Sequence, residues 1–482
     1  MTSTDLLLLL PEVLITATGL LVLLLDLGLR RGDRSWLAGL SLVGIAAALA
    51  VVLAEAGHPG RVLAAADLHV VDDYAAFFKV IFLVSAALVI LAALRFVEEH
   101  ELPAGEFYGL VLFATLGTML MASANDLLEL FIGLETMAIC TYALCGFLKR
   151  EQRCSEGALK YLLMGVFSTG VILYGMVLLY GVTGTTNLPA IAQALGMQGL
   201  RNPAVIMAMV LLAAGFGFKV AAVPFHMYLP DMYEGAPTPV VAFMAGAAEL
   251  AGAAVLVRVF WIALPGLQLD WALLFWVLAV LTMTIGNLVA IAQTNLKRML
   301  AYSTIAHMGY LLMGPVAGSR LGVSAVLFYG LVYALMTIGA FAMVLLLARG
   351  NVRGDQIDDF TGLAQRSPAA AAAMLLFLLS LTGIPPTAGF VGKFYLFAAA
   401  VEAGYIWLVL IAVINSAISL FYYMRVAMVM YMRDVPAKGL ALSPSLALHA
   451  ALFLAAFGTL VLGLFPGPVL DFAKASAVAL TG

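Results

Sequence analysis

The sequence GFGFKVAAVPFH, residues 215–226, places Lys219 inside an apolar run that a proline interrupts five residues later. A second segment, LTGIPPTAGFVGKFYLF at residues 381–397, repeats this arrangement around Lys393, beside two prolines and two glycines. A charged side chain in the middle of a membrane costs about 2.5–3.5 kcal/mol on insertion scales. Two such lysines beside helix breaks therefore indicate movement of ions or protons rather than simple anchoring.

The composition of the chain indicates a membrane protein. Of its 482 residues, 64% are hydrophobic and 11% are charged, and the mean hydropathy is +1.07. Water-soluble domains do not have this balance, so we predict an all-α polytopic membrane protein. The net charge of −3 gives no indication of nucleic-acid binding. Three cysteines, Cys140, Cys145 and Cys154, match no zinc or iron–sulfur spacing, and we predict no metal site.

Apolar runs of roughly the 20 residues that a membrane span needs recur along the whole chain. We predict about 14 transmembrane helices from them. The runs lie at residues 5–29, 36–54, 74–95, 107–122, 127–148, 158–181, 203–227, 238–263, 271–292, 298–317, 323–349, 369–400, 405–430 and 446–465.

The loop charges predict an orientation for these helices. Counted from the N-terminus, odd-numbered loops hold sixteen lysines and arginines, whereas even-numbered loops and the C-terminal tail hold five. Cytoplasmic loops carry the excess of basic residues. The odd loops are therefore predicted in the cytoplasm, and both the N- and C-termini outside it.

The seventh and twelfth predicted helices are both discontinuous, and the predicted topology makes them run in opposite directions. Broken helices at matching places in two halves are typical of inverted-topology repeats. We predict two inverted five-helix repeats, at residues 107–263 and 271–430. Helices 1–3, within residues 1–106, and helix 14, within residues 446–482, would lie outside them. Because a break frees backbone groups that lipid cannot satisfy, the breaks also predict a buried, hydrated interior.

Glu135 lies eight residues into the fifth predicted helix, about 12 Å from its start at 1.5 Å per residue. This depth is near the membrane midplane. Lys219 is its natural partner, since each charge lowers the cost of the other. The alternative for this pair is a purely structural salt bridge.

Two further ionisable residues lie between the two lysines. Glu249, in FMAGAAELAGA, is in the middle of the eighth predicted helix, where an unpaired carboxyl group can exchange protons. His307, in STIAHMGYLL, suits a proton relay. Either one could instead be a hydrogen-bonded packing residue. The predicted proton-transfer line runs across the middle of the protein, along the plane of the membrane, and consists of Glu135, Lys219, Glu249, His307 and Lys393.

Other charged residues are expected nearer the surfaces. Lys79 lies near the outer end of the third predicted helix, so we expect it to extend its amine to the interface. Glu12 and Glu129 are likewise expected to be near-interface groups. His226 and Asp231, after the first break, suit either a proton entry or an ordinary polar loop.

Three motifs carry a resemblance to a known family. VPFHMYLPDMYEGAPTPVVAF at 223–243, NLKRMLAYSTIAHMGYLL at 295–312 and GIPPTAGFVGKFYLF at 383–397 resemble the antiporter-like membrane subunits of NADH:quinone oxidoreductase, respiratory complex I. Within that family, the YEGAPTPV form and the 14-helix size are most similar to the subunit N group. The resemblance implies a proton-pumping subunit of the membrane arm.

The resemblance also assigns positions and partners. By position, Glu135 and Lys219 match the family's glutamate–lysine pair, His307 falls in its helix-ten motif, and Lys393 matches its terminal lysine. The family implies no cofactor in this subunit, with flavin, iron–sulfur clusters and quinone on partner subunits. It implies other complex I membrane subunits as partners, especially a neighbouring antiporter-like subunit and small membrane subunits. It also implies a bacterial inner (plasma) membrane, which makes the predicted outer side periplasmic.

One position departs from the family pattern. The family commonly has a lysine in helix eight, fourteen residues after the glycine of the EGAPTPV motif, and that count from Gly235 reaches Glu249. We therefore expect the central site to act as a carboxylic acid rather than an ammonium. The family's account of alternating charge does not transfer unchanged.

Three other functions remain open from the sequence. A subunit of a multi-subunit cation/proton antiporter or of a membrane-bound hydrogenase would share the fold and the lysine pattern. A stand-alone solute transporter would need substrate-sized polar clusters at the helix breaks, which the sequence does not offer. A purely structural membrane scaffold would not need a line of buried charges.

Overall fold

The computed structural model describes residues 3–28, 34–57, 61–198, 202–348, 354–435 and 445–481. In these ranges the chain forms twenty-two α-helices and one antiparallel hairpin of two short strands, which confirms the predicted all-α class. The strands are β1 (Val62–Ala64) and β2 (His69–Val71). The helices are α1 (Ser3–Leu8), α2 (Leu10–Gly28), α3 (Ser35–Glu55), α4 (Asp73–Glu99), α5 (Ala104–Ser123), α6 (Leu127–Cys145), α7 (Gln152–Thr183), α8 (Leu188–Gln198), α9 (Pro203–Lys219), α10 (Tyr228–Gly235), α11 (Thr238–Phe243), α12 (Glu249–Ile262), α13 (Gln268–Ile291), α14 (Leu296–Leu311), α15 (Met313–Ala317), α16 (Arg320–Leu347), α17 (Leu363–Arg366), α18 (Pro368–Thr382), α19 (Ala388–Glu402), α20 (Ile406–Met432), α21 (Leu446–Leu464) and α22 (Gly467–Thr481).

Short polar residues set the starts of several helices. Asp72 accepts a hydrogen bond from the backbone N–H of Ala75, and Asn295 accepts one from that of Arg298. Such caps satisfy N–H groups that have no partner in the first helical turn. Equivalent caps begin α6, α9, α16 and α21 at Asp126, Asn202, Ser319 and Ser445.

Among the described residues, eleven helices are long and apolar enough to cross a membrane. Three of the predicted runs are absent from that set because each is divided. Residues 203–227 comprise α9 and the irregular segment 220–227 that follows it, residues 298–317 fall on α14 and α15, and residues 369–400 fall on α18 and α19. The total of 14 crossings and the inverted repeats stay predictions.

Contacts between loops define two faces of the molecule. At one face, which we call the hairpin face, Asp5 accepts a hydrogen bond from Ala65 N, Asn125 N donates to Leu68 O, and Leu188 N donates to Asn125 O. At the opposite face, Arg298 contacts Asp231, and Asn295 pairs with Gln356. The contacts at the hairpin face thus involve loops that were numbered even in the predicted topology. The contacts at the opposite face involve loops that were numbered odd. The sidedness in the membrane stays a prediction, and six of the counted cations lie outside the described residues: Arg30, Arg31, Arg201, Arg349, Arg353 and Lys438.

Several expectations about charged residues near the interface are wrong. Lys79 is 2% exposed, and its Nζ lies 2.7 Å from Glu12 Oε1, so it does not extend to an interface. Arg258 was counted in a loop but is buried in α12, where it forms two hydrogen bonds with Asp72. The sequence analysis missed these pairs because each joins helices that are far apart along the chain.

Close packing at the second break predicts a large stability effect. A Cβ added at Gly389 would lie 1.8 Å from the carbonyl oxygen of Ser380, and that neighbour is backbone. We expect Gly389→Ala to destabilise the chain by about 3 kcal/mol or more, at the upper end for overpacking. Thermal unfolding in detergent would measure it. Gly181→Ala is the matched control, since a Cβ there meets nothing within 4 Å. Equal melting temperatures for both variants would contradict the packing described here.

Candidate functional site

The first helix break lies between Lys219, the last residue of α9, and Tyr228, the first of α10. The intervening chain includes a cis peptide bond before Pro224. Val223 N donates to Thr282 Oγ1 at 2.9 Å, and Tyr228 Oη donates to the carbonyl of Phe218 at 3.1 Å. Backbone N–H and C=O groups that the break frees thus find hydrogen-bond partners inside the protein. Irregular backbone is tolerated at membrane depth only where such groups are satisfied in this way.

Lys219 is 4% exposed, and its Nζ has no hydrogen-bond partner among the described residues. It lies directly against α12, where a Cβ added at Gly252 would be 3.1 Å from Lys219 Cβ. Glycine at this position therefore permits the end of α9 to approach α12. A buried amine without a dedicated hydrogen-bond partner is costly, and in membrane proteins such groups mark ion and proton routes.

Glu135 is half-buried on α6 and accepts a hydrogen bond from Thr169 Oγ1 at 2.8 Å. Glu135 is within electrostatic range of Lys219 but does not hydrogen-bond to it, since Lys219 Nζ has no such partner. The structure therefore places the two residues near each other without direct contact. Their acting as a functional pair stays a prediction.

Glu249 is 1% exposed and begins α12, directly after a π-helical turn at Met244–Ala248. Turns of this kind are frequent at functional sites. Tyr233 Oη donates to Glu249 Oε1 at 2.5 Å, whereas Glu249 Oε2 has no hydrogen-bond partner among the described residues. One oxygen is thus fixed in place, and the other is available to a proton or to water.

Ion pairs at the face opposite the hairpin hold α10, the helix that carries Tyr233, in place. On α10, Asp231 contacts Lys160 at 2.7 Å and Arg298 at 2.8 Å, and Glu234 contacts Arg298 at 3.0 Å. Partial burial acts to raise the pKa of Asp231, but the two hydrogen-bonding cations hold it below its ordinary value. Asp231 is therefore a paired carboxylate. His226 is half-buried just before α10.

His307 is 1% exposed and is bound by two tyrosines. Its Nδ1 lies 2.5 Å from Tyr329 Oη, and its Nε2 lies 3.1 Å from Tyr423 Oη. Both ring nitrogens have hydroxyl partners, and a hydroxyl can donate or accept. This arrangement can pass a proton through the imidazole in either direction.

Further tyrosines continue from His307 toward both ends of the predicted line. The ring of Tyr333 lies tilted against His307 at a centroid distance of 5.4 Å, and its hydroxyl donates to Thr304 Oγ1. On the other side, Asn287 is bound by Tyr422 Oη at 2.9 Å and by Tyr310 Oη at 3.3 Å. The ring centre of Tyr310 lies 5.8 Å from that of His307 and 4.6 Å from the Lys393 ammonium, so this tyrosine adjoins both of these members of the predicted line.

Lys393 lies on α19, after the second break, and is 3% exposed. Its Nζ donates to the carbonyls of Leu381 at 3.0 Å and Thr382 at 2.9 Å and to Ser416 Oγ at 3.1 Å. The ammonium also lies 4.6 Å from the ring centre of Tyr310. A cavity of about 380 Å³ opens beside it, between α19 and α20.

The two break lysines therefore differ in a way that the sequence does not reveal. Lys219 precedes its break and has no hydrogen-bond acceptor within the described ranges. Lys393 follows its break and donates to two carbonyls that the break leaves free. Three acceptors and an aromatic face stabilise the ammonium form of Lys393. The two amines therefore differ in their hydrogen bonding, although both are buried.

Sequence reasoning missed the tyrosines that connect the charged residues. These tyrosines are Tyr233 on α10, Tyr329 and Tyr333 on α16, and Tyr423 on α20. In an apolar sequence, a tyrosine is most simply interpreted as a packing residue. The one available signal was Tyr233, which stands inside the YEGAPTPV motif. Among the described residues, no group of three His, Cys, Asp or Glu side chains could hold a metal ion.

Residues 124–419 match the family model described as the transmembrane region of NADH:quinone oxidoreductase and Mrp antiporters. The chain belongs to this family. The match includes all five residues of the predicted line and both helix breaks, which confirms the family predicted from the three motifs.

Relatives within the family match nearly end to end. The chain is 45% identical to NADH-quinone oxidoreductase subunit N of Trichlorobacter lovleyi, over 96% of this chain and 95% of that one. It is 44% identical to subunit N of Moorella thermoacetica, over 97% of both. A chain of respiratory complex I from Thermus thermophilus has a TM-score of 0.80 at 33% identity, over 96% of this chain and 98% of that one.

One more distant structure shows that the fold extends across the family. A chain of the Mrp complex from Dietzia sp. has a TM-score of 0.86 at 22% identity, over 100% of this chain and 98% of that one. At that identity the likeness is one of fold alone.

Proposed function

We propose that this chain is a proton-translocating subunit in the membrane arm of an NADH:quinone oxidoreductase. The observation that carries the proposal is a buried Lys219 that has no hydrogen-bond acceptor in the described part of the chain and contacts the helix of Glu249. A buried ionisable group that is neither paired nor exposed is costly, and in membrane proteins such groups mark ion and proton routes. Relatives of this chain are named NADH-quinone oxidoreductase subunit N, and we therefore assign the proposed route to a redox complex of that kind.

The proposed sequence of events has four steps. Lys219 stays protonated while Glu135 lies near it. A change in a neighbouring subunit then moves Glu135 away, and the ammonium loses its counter-charge. Its proton passes to the free oxygen of Glu249 and on to His307. Lys393, held by the carbonyls of the second break, controls exchange with one side of the membrane.

The chain's own side chains supply acid–base groups and hydroxyls only. The flavin, the iron–sulfur clusters and the quinone are proposed to reside on partner subunits, and their reactions reach this chain as a conformational or electrostatic change. The proposed neighbours are another antiporter-like subunit and small membrane subunits. Glu135, which is half-buried on α6, is the member of the line best placed to sense a neighbour.

The proposed location is a bacterial inner membrane, with both termini on the periplasmic side. With the buried Arg258 excluded, the sixteen-to-four division of the counted cations supports this orientation. The hairpin face would then be periplasmic, and the face with Asp231 and Arg298 would be cytoplasmic.

Purification of the tagged chain with its neighbours tests the proposal directly. We expect flavin and iron–sulfur absorption in the purified assembly, and NADH oxidation coupled to quinone reduction. A family member that works as a cation/proton antiporter would instead give sodium-dependent proton exchange without NADH oxidation. That second result would contradict the proposal.

The tyrosines around His307 give a separate prediction. Tyr423→Phe removes the hydroxyl on His307 Nε2 without changing the ring, so we expect slower proton pumping at an unchanged amount of assembled complex. Pumping into sealed vesicles would measure it. Tyr108→Phe is the control, because Tyr108 is equally buried but lies on α5, outside the line. Equal pumping in the two variants would show that His307 does not depend on this contact.

A further inference from the structure

A second cluster of buried ionisable groups lies between α2, α4, α6 and α12, toward the hairpin face. Lys79 Nζ lies 2.7 Å from Glu12 Oε1, and His69 Nδ1 lies 2.5 Å from Glu129 Oε1. Glu129 is also within electrostatic range of Glu12 and Lys79. The exposed fractions of the four residues are between 1% and 9%. None of them belongs to the line from Glu135 to Lys393.

The depth of this cluster follows from the packing of α4 on α11 and α12. Tyr74 Oη donates to the carbonyl of Ala254, and Ser85 Oγ donates to that of Gly246, so the helices run antiparallel. Lys79 lies between those two contacts, at the level of residues 249–250. The Glu12–Lys79 pair is therefore at the same depth as Glu249. From there, Glu129 and His69 lead to the hairpin, of which His69 begins the second strand.

A neighbouring ion pair shows what a structural pair looks like in this region. Arg258 contacts Asp72 through two hydrogen bonds of 2.8 and 2.9 Å, and Asp72 also caps α4 at Ala75 N. Both carboxylate oxygens of Asp72 are therefore used. The guanidinium lies 4.8 Å from the ring centre of Tyr74 and does not release its proton in proteins.

The cluster of Glu12, Lys79, Glu129 and His69 has unused carboxylate and imidazole atoms, whereas both oxygens of Asp72 are used. Glu12 Oε2, Glu129 Oε2 and His69 Nε2 are buried and have no hydrogen-bond partner among the described residues. Buried polar atoms left without a partner are costly, and they are expected to bind water or protons. The two glutamates with one lysine and one histidine offer both acceptors and donors for a proton.

We propose that these four residues form a second proton-transfer site, which connects the depth of Glu249 to the hairpin face. This inference rests on the proposed function. A proton passes from the Lys79 ammonium to the Glu129 carboxylate, and then to the imidazole of His69, which releases it at the hairpin face. The neutral Lys79 amine then takes a new proton from the central line, so charge and protons balance over one cycle. Glu12 holds Lys79 in place as its counter-charge.

Lys79→Arg separates a proton site from a structural pair. Arginine keeps the positive charge beside Glu12 but does not give up its proton. If the Glu12–Lys79 pair is only structural, proton pumping tolerates the change from lysine to arginine. If Lys79 transfers protons, pumping does not tolerate it. Glu129→Gln is the second variant, since it keeps the size of the side chain and its oxygen for His69 but removes the proton-binding carboxylate. Arg95→Lys on the same helix is the control, because Arg95 forms an exposed pair with Glu99.

The measurement is the number of protons pumped per electron, with the whole complex in sealed vesicles and Lys219→Ala alongside. We expect Lys79→Arg and Glu129→Gln to lower the ratio to the value of Lys219→Ala, while Arg95→Lys keeps the wild-type ratio. A wild-type ratio in both variants with a lowered ratio in Lys219→Ala overturns this inference alone. A slower reaction at an unchanged ratio also overturns it, since the pair is then structural. If the complex with Lys79→Arg does not assemble, the ratio measured for Glu129→Gln alone decides whether the inference stands. A wild-type ratio in Lys219→Ala would overturn the proposed function itself.

Discussion

Replacing Lys219 with alanine is expected to lower proton pumping by about 10²-fold, the lower end of what a positioned acid–base group contributes. The amine is 4% exposed and has no hydrogen-bond partner among the described residues, so no other side chain holds its proton in its place. Alanine also removes buried charge, so the chain itself is expected to remain folded. Pumping and quinone reductase activity would be measured on the same preparation.

Glu135→Gln tests the other half of this prediction. The amide keeps the hydrogen bond from Thr169 but no longer attracts the ammonium of Lys219. We expect pumping to fall, with the assembly intact. Thr136→Val, one residue away on α6, is a suitable control, because its hydroxyl binds only the carbonyl of Ile132 in its own helix. Full pumping in both Lys219→Ala and Glu135→Gln would contradict the proposed line.

Replacing Glu249 is the second change with a large expected effect. Glu249→Gln keeps an acceptor for Tyr233 but cannot bind and release a proton at neutral pH, so we expect strongly impaired pumping. Glu249→Lys is expected to retain much of it, because an amine also binds and releases a proton and the family resemblance implies a lysine at this position. Proton pumping per unit of quinone reductase activity would be compared across the two variants.

The contact with Tyr233 provides the control for this series. Tyr233→Phe removes the hydrogen bond to Glu249 Oε1 but leaves the carboxyl group, so its effect is expected to be smaller than that of Glu249→Gln. Pumping in Glu249→Gln that equals the wild type would show that the carboxyl group is there for packing only.

Much of this site follows from the sequence because charge in an apolar run is conspicuous. Lys219, Glu249 and Lys393 stand out by composition alone, and proline or glycine beside the two lysines predicted the divided runs at 203–227 and 369–400. The family motifs then supplied the class of protein. Each of these signals is local in the chain, and each can be seen without knowledge of packing.

Features that depend on contact between distant helices could not be predicted. Lys79 looked like an interfacial lysine because its partner, Glu12, lies on a helix near the N-terminus. The tyrosines on His307 come from α16 and α20. The sequence places Lys219 and Lys393 in similar surroundings, beside a helix break. In the structure, Lys393 follows its break and donates hydrogen bonds to carbonyls there, whereas Lys219 precedes its break and has no hydrogen-bond partner among the described residues.

The central claim is that protons move through this chain along its buried side chains. The most direct measurement is the number of protons pumped per electron, at matched rates of NADH oxidation, for the wild type and for Lys219→Ala, Glu249→Gln and Lys393→Met. We expect a lower number in each variant while electrons still reach quinone. An unchanged number in all three would contradict it.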